Sequence, residues 1–213
     1  MKKKKMSKTA IALIVIVSGA AVLLLIQAVV PILLVGLLIF GSATAPVEVN
    51  TDISKYEQYI GENADEQYDS KWGMDETIFP QTITDEMQVQ DYKMVYYNPW
   101  DAQYLSYLVV QYDKDSYAEE VDRLEAYEST DYLGYYGAEG FVEQYDLLAM
   151  YADDYQGFVY ALTDREDTII YVEIIFCNYF MDLEYWDYIK EEYLPVGFDA
   201  TLNNPYEEKM MGR

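Results

Sequence analysis

The chain has 213 residues, of which 38 are acidic, 14 are basic and none is histidine, so its formal net charge is −24. Nucleic-acid binding requires a basic footprint, and this composition disfavours it. Without histidine the chain lacks the usual nitrogen ligand of zinc and the base of a Ser-His-Asp or Cys-His catalytic system.

The N-terminal 40 residues divide into a basic tail, residues 1–9, and an uncharged apolar run, residues 10–40. About twenty helical residues cross a bilayer, so the run predicts a transmembrane helix. A cleaved signal peptide is the alternative, because residues 43–45, Ala-Thr-Ala, have the small-x-small form of a cleavage site. The length of the run and Pro46 directly after this site favour a retained anchor.

The charges around the run predict its orientation. Five lysines precede it, and the ten residues that follow, 41–50, contain no basic residue. The positive-inside rule therefore places the N-terminus in the cytoplasm and the chain from Thr44 onward outside the cell membrane. Gln27 and Pro31 are either a tolerated interruption of the spanning helix or a face for a partner helix. In the second case the chain would be an accessory subunit that docks onto a larger membrane complex through its span.

Residues 41–50 are predicted to be a tether, and residues 51–213 one acidic, tyrosine-rich extracytoplasmic domain. All 38 acidic residues but only nine basic ones follow residue 45, which gives this part a net charge of −29. Its 24 tyrosines and long apolar runs argue against disorder. Cys177 is the only cysteine, so no intrachain disulfide can form, and we expect it to be a small apolar filler.

From residue 51 onward, apolar periodicity predicts, in order, two short helices, two strands, a helix, three strands and a last helix. Thr51 or Asp52 would cap the first helix, and Ser116 with Glu119 would form a capping box on the third. The first of the five strands, counted along the chain, starts at Met87. The predicted ranges are 51–61, 63–73, 87–97, 102–113, 115–127, 146–152, 157–163, 168–180 and 182–193.

This order predicts an α+β fold, with a mainly antiparallel sheet of about five strands and helices packed on one face. The second strand, 102–113, is apolar on both faces, which is typical of a central position. Polar turns at 153–156 and 164–167 would join the last three strands as an antiparallel meander.

No motif identifies a metal, a cofactor or a catalytic group. The acidic window from Asp113 fails as a calcium loop, because Ala118 replaces the required glycine and Leu124 the bidentate glutamate. The acidic clusters at 153–154 and 164–167 are typical of hairpin turns. A carboxylate-dependent glycan or cell-wall hydrolase needs no histidine and stays open as an alternative, although nothing selects a carboxylate pair.

Aromatic residues at two loops are the candidates for a binding surface. Tyr96, Tyr97 and Trp100 bracket a turn, and Tyr135 and Tyr136 lie in a glycine-rich loop. Tyrosine and tryptophan are common where proteins contact other proteins or glycans. We therefore expect a noncatalytic binding or interaction module whose partner, a protein or a glycan, is cationic or neutral.

Overall fold

The computed structural model describes residues 25–36, 45–61, 63–69 and 71–213. Residues 25–36 form a helix, α1, whose apolar side chains are exposed. The basic tail 1–9, the rest of the predicted span 10–40 and residues 41–44 of the tether lie outside the described residues. Within the described ranges, no helix reaches the length and apolarity needed to cross a bilayer. The chain divides after Ala45 into two compact units.

The second unit is built on an antiparallel sheet, which confirms the predicted α+β class. Its six strands in the described residues have the order β1-β2-β3-β6-β5-β4. The sheet has one strand more than expected, because residues 47–50, predicted to be part of a tether, pair with the strand predicted at 87–97. The strands are β1 (Val47–Asn50), β2 (Gln88–Tyr97), β3 (Gln103–Gln111), β4 (Asp146–Asp153), β5 (Gly157–Thr163) and β6 (Thr168–Ile175).

Helical segments in this unit are short. The α-helices are α2 (Glu66–Asp69), α3 (Lys114–Glu125) and α4 (Pro205–Met210). The other helical segments are 3₁₀ helices, which are wound more tightly than α-helices and are usually only a few residues long. They are Ile53–Gln58, Lys71–Gly73, Glu76–Ile78, Tyr135–Gly137, Tyr185–Asp187 and Glu191–Tyr193.

Both faces of the sheet are covered, so the prediction of helices on one face is wrong. The described residues between 53 and 79, together with α3, pack on one face, here called the N-terminal face, against Leu108 and Tyr171. Residues 179–206 pack on the opposite, C-terminal face against Tyr107 and Val172. The reason lies in the central strands: β3 is buried from its first residue to Val110, and a strand that is apolar on both faces needs two covering layers.

The last predicted helix, 182–193, is not a helix. Tyr185, Ile189 and Tyr193 are all buried, and their spacing of four resembles a helical stripe. Instead, two 3₁₀ turns bring these side chains onto the sheet, with Lys190 between them in an extended conformation. Tertiary packing here overrides a helical pattern that is rich in aromatic residues of modest helix propensity.

The start of α3 also differs from the prediction. Asp113 is its N-cap, because its carboxylate accepts hydrogen bonds from the backbone N–H groups of Asp115 and Ser116. Ser116 is therefore inside the helix and does not cap it. Asp52 does cap the first 3₁₀ segment, as one of the two predicted alternatives.

The predicted meander of the last three strands is confirmed. Strand β5 pairs antiparallel with β4 and with β6. In the β5–β6 turn, Oδ1 of Asp164 accepts hydrogen bonds from the N–H groups of Glu166, Asp167 and Thr168. This carboxylate therefore serves the turn. Strand β6 ends at Ile175, five residues before the predicted end.

Candidate functional site

The five predicted contact residues do not form one surface. Tyr136 is buried, with 1% of its surface exposed, and its hydroxyl donates to the backbone oxygen of Asp154 at 2.8 Å. The expectation that it is exposed is therefore wrong. The physical reason is a left-handed backbone, with φ 51° at Tyr136, which turns the ring into an aromatic cluster on the C-terminal face.

Tyr96 and Tyr97 are half-buried on opposite faces of the sheet, because neighbouring residues of a strand alternate. Tyr96 packs edge-on against Tyr68, with ring centroids 5.1 Å apart, on the N-terminal face. Tyr97 packs against the core of the C-terminal face. Tyr135 is also half-buried and lies 5.7 Å from the ring of Tyr206. Each of these tyrosines takes part in packing and keeps part of its surface exposed.

Trp100 is the one predicted contact residue that is well exposed, at 57%. It lies in the β2–β3 hairpin, at the same end of the sheet as the β4–β5 hairpin and the end of β6. Two further rings join it there, Trp72 and Tyr155, each 37% exposed. Trp72 reaches this end because its Nε1 donates to the backbone oxygen of Ala102 at 2.8 Å. We call Trp72, Trp100 and Tyr155 the aromatic rim.

Polar groups connect the aromatic rim across the strand ends. Nδ2 of Asn178 donates to Oδ2 of Asp101 at 3.3 Å, and the hydroxyl of Tyr155 donates to Oδ1 of Asn178. Asp153 and Asp154, in the adjacent hairpin, add two half-buried carboxylates. The rim therefore combines exposed aromatic faces with acidic groups.

Three residues with a left-handed backbone lie at or near the rim. Trp72, Asn178 and Tyr179 have φ values of 57°, 63° and 69°, in the left-handed region that residues with a β-carbon seldom adopt. Such residues persist where surrounding contacts determine their conformation, and they cluster at binding and active sites. Trp72 and Tyr155 could not be predicted as rim residues from the sequence, because the contacts that bring them there are long-range.

Cys177 lies next to the rim but is not a reactive thiol. Its side chain is buried, and burial raises the pKa of the thiol to about 12, with the negative charge of Asp101 adding to the effect. The thiolate is the nucleophilic form of cysteine, so the neutral thiol is inert at physiological pH.

A buried ion cluster lies between the N-terminal segment and the sheet. Nζ of Lys71 lies 3.0 Å from Oε2 of Glu173 and also contacts the carboxylate of Glu76. Ser106 donates to Glu173 at 2.7 Å, and the Tyr104 ring centroid is 5.7 Å from the ammonium group. We call Lys71, Glu76 and Glu173 the ion cluster. A lone glutamate in the apolar strand β6 was its one signal in the sequence.

The ion cluster contains Glu76, a carboxyl group whose raised pKa is a feature that it shares with catalytic acids. Burial raises the pKa of Glu76, the charge of Glu173 adds to the rise, and Lys71 opposes it. However, Lys71 and Glu173 are 1% and 0% exposed, and the side chain of Glu76 is 12% exposed, so a sugar ring could reach at most one carboxyl group of the cluster. A surface cavity of about 530 Å³ is lined by Ile53, Ser54, Tyr56, Glu57, Gln58, Asn63 and Ile83, none of which belongs to the cluster. The arrangement is that of an interior ion pair with an added carboxyl group.

Comparisons with known protein families, curated proteins and solved structures find no match to this chain. Function must therefore be inferred from the geometry of its own residues. Within the described residues, two features bear on function. The aromatic rim is exposed, and the ion cluster lies in the interior.

Proposed function

We propose that the chain is a single-pass protein of the cell membrane, anchored by residues 10–40, whose domain outside the membrane is a noncatalytic binding module. The N-terminus would be cytoplasmic, as five lysines before the span favour. The observation that carries the binding role is the aromatic rim, because three exposed rings share one end of the sheet with several carboxylates.

Binding is favoured over catalysis by the chemistry of the candidate groups. Lys71 and Glu173 are fully buried, the side chain of Glu76 is 12% exposed, and the Cys177 thiol is buried with a raised pKa. A glycoside hydrolase requires two carboxyl groups on either side of an accessible bond. The raised pKa of Glu76 is explained by its burial, so it does not need a catalytic role.

The partner we propose is a protein or a glycan that is cationic or neutral. The net charge of −29 after residue 45 repels nucleic acids and anionic lipid surfaces and attracts cationic groups. Tryptophan and tyrosine supply large contact areas with little loss of conformational entropy, and tryptophan rings also bind cations on their faces.

Photo-crosslinking in the cells that produce the chain tests this proposal. The photoreactive residue p-benzoylphenylalanine would replace Trp100 in the full chain, and Trp186 in a control. Trp186 is 48% exposed but lies on the segment that covers the C-terminal face, beside the ring of Tyr185. We expect an adduct from position 100 and none from position 186.

A second arm places the photoreactive residue at Tyr155 with Trp100 intact or replaced by alanine. We expect Trp100→Ala to reduce the yield of this adduct about tenfold, because central aromatic residues carry much of the binding free energy. Equal yields from positions 100 and 186, or no effect of Trp100→Ala, would contradict a binding role for the rim.

A further inference from the structure

Within the described part of the chain, the outer edge of β1 is an open sheet edge. Strand β1 pairs with β2 along Val47–Asn50, and it is the first strand in the sheet order. In an antiparallel pair, alternate residues point their N–H and C=O groups away from the partner strand. Across 45–61, 63–69 and 71–213, residues 45–50 make no backbone hydrogen bond beyond the β1–β2 ladder. Among the described residues, backbone groups on this side therefore have no partner, which is the condition for another strand to add.

The opposite edge of the same sheet is closed. There, the N–H of Thr130 donates to the backbone oxygen of Met150 at 2.9 Å, and the N–H of Met150 donates to Oγ of Ser129 at 3.1 Å. The N–H of Ala152 likewise donates to Oγ1 of Thr130. A connecting segment thus satisfies the outward groups of β4. The contrast marks β1 as the edge at which pairing can continue.

The two faces of β1 present different chemistry. Val47 and Val49 are 38% and 49% exposed and lie on the C-terminal face, where Val49 is paired with the buried Val95. Glu48 points to the N-terminal face and accepts hydrogen bonds from the hydroxyls of Tyr59 and Tyr68, at 3.1 and 2.8 Å. A strand added here would meet apolar side chains on one face and a fixed carboxylate on the other.

Charge distinguishes between the strands that could occupy this edge. Residues 46–70, which form β1 and the segment that follows it, contain seven acidic residues and one lysine. A second copy of this chain would bring an equally acidic segment to the interface. A basic strand would be attracted to it, and like charges brought together across an interface cost free energy.

We propose that β1 binds an extended segment of a partner protein in which apolar and basic residues alternate, added to the sheet as a further strand. Main-chain hydrogen bonds would supply the affinity, as in other cases of strand addition. The apolar residues would lie beside Val47 and Val49, and a basic residue beside Glu48. This site is separate from the aromatic rim, so the two proposals can fail independently.

The test uses the full chain in detergent micelles and, as the probe, a capped octapeptide of alternating lysine and valine. Binding is measured by calorimetry with the unchanged chain, with Val49→Lys and with Val196→Lys. Val196 is a matched control, since it is 43% exposed and lies far along the chain in the C-terminal segment. Lysine on an edge strand is a natural means of blocking strand addition. We expect Val49→Lys to weaken binding about tenfold or more, and Val196→Lys to change it less than about twofold.

Two modified peptides separate strand addition from charge attraction. One has its backbone amides methylated along one edge, and the other along the opposite edge. Because only one edge of an added strand faces β1, one of the two should lose binding and the other should retain it.

Three results would overturn the inference. One is equal binding of both methylated peptides or of a scrambled peptide of the same composition, which would indicate charge attraction alone. Another is absence of binding to the unchanged chain. The third is a dimer of the full chain, seen by sedimentation, that Val49→Lys abolishes, because the edge would then bind a second copy.

Discussion

Replacement of Lys71 by methionine removes the positive charge of the ion cluster while it keeps most of the volume of the side chain. Nζ of Lys71 is 3.0 Å from Oε2 of Glu173, and both residues are fully buried. With the ammonium group gone, Glu173 would have Ser106 and Glu76 as its polar neighbours. A carboxylate in that position either stays charged without a cation or becomes protonated, and both outcomes cost free energy.

The expected loss follows from the depth of the pair. Removal of one partner from a buried ion pair costs about 3–5 kcal/mol, whereas an exposed pair contributes at most about 1 kcal/mol. A domain of this size has a free energy of unfolding of about 5–15 kcal/mol. The variant should therefore lose about a fifth or more of its stability. A loss of this size corresponds to a fall in Tm of roughly 6–20 °C.

Urea unfolding of the full chain at pH 7, followed by tryptophan fluorescence, measures this loss. Lys55→Met is the control, since Lys55 is exposed and its replacement should change the free energy of unfolding by less than about 0.5 kcal/mol. The double variant Lys71→Met with Glu173→Gln should be more stable than Lys71→Met alone, because it removes both charges and keeps an acceptor for Ser106. A loss below about 1 kcal/mol for Lys71→Met would refute the burial and pairing described above.

The pKa of Glu76, raised from 4.5 to about 8, predicts a pH dependence of stability. Between these two values the folded state binds more protons than the unfolded state. The free energy of unfolding should therefore fall by up to about 1.4 kcal/mol per pH unit as the pH rises through this window. Glu76→Gln should remove that slope in urea titrations at several pH values, and an unchanged slope would assign it to another group. Gly157→Ala should lower stability by about 2–4 kcal/mol, because φ is +104° and an added Cβ would lie 2.1 Å from the backbone oxygen of Ile174. Gly134→Ala, with φ +83° and open space around the added Cβ, should cost only about 1–2 kcal/mol, and equal losses would contradict the steric argument. The pKa of the Cys177 thiol is raised to about 12, so its reaction with iodoacetamide at pH 8 should be at least about tenfold slower in the folded chain than in urea. Mass spectrometry of the alkylated chain would measure both rates. Equal rates would mean that the thiol is exposed in the folded chain.

The parts of the fold that could be predicted from sequence are those specified by local patterns. Alternation and β-branched residues identified the long strands, and aspartates before short polar stretches identified the hairpin turns of the meander. Strand β1 could not be predicted in this way, because four residues with two exposed valines give no stronger pattern than a tether does. Its pairing with β2, some forty residues later, is determined by tertiary contacts.

The candidate site was predictable only where a residue is exposed for a local reason. Trp100 lies in the five-residue loop, 98–102, that connects β2 and β3, and its exposure follows from that position. Tyr136 has the same kind of sequence environment, but its left-handed backbone carries the ring inward. Lys71 and Glu173 are 102 residues apart in the chain, so no local pattern could pair them.

The ion cluster and the aromatic rim meet at one turn of the backbone. Lys71 and Trp72 both have positive φ values, 28° and 57°, and each such residue costs about 1–2 kcal/mol. The turn persists because both side chains are held at their far ends, Lys71 by Glu173 and Trp72 by the backbone oxygen of Ala102. The interior ion pair thereby fixes the position of an exposed aromatic side chain. Loss of the pair would release the strain, free Trp72 from the hairpin that carries Trp100, and weaken the proposed binding surface together with the fold.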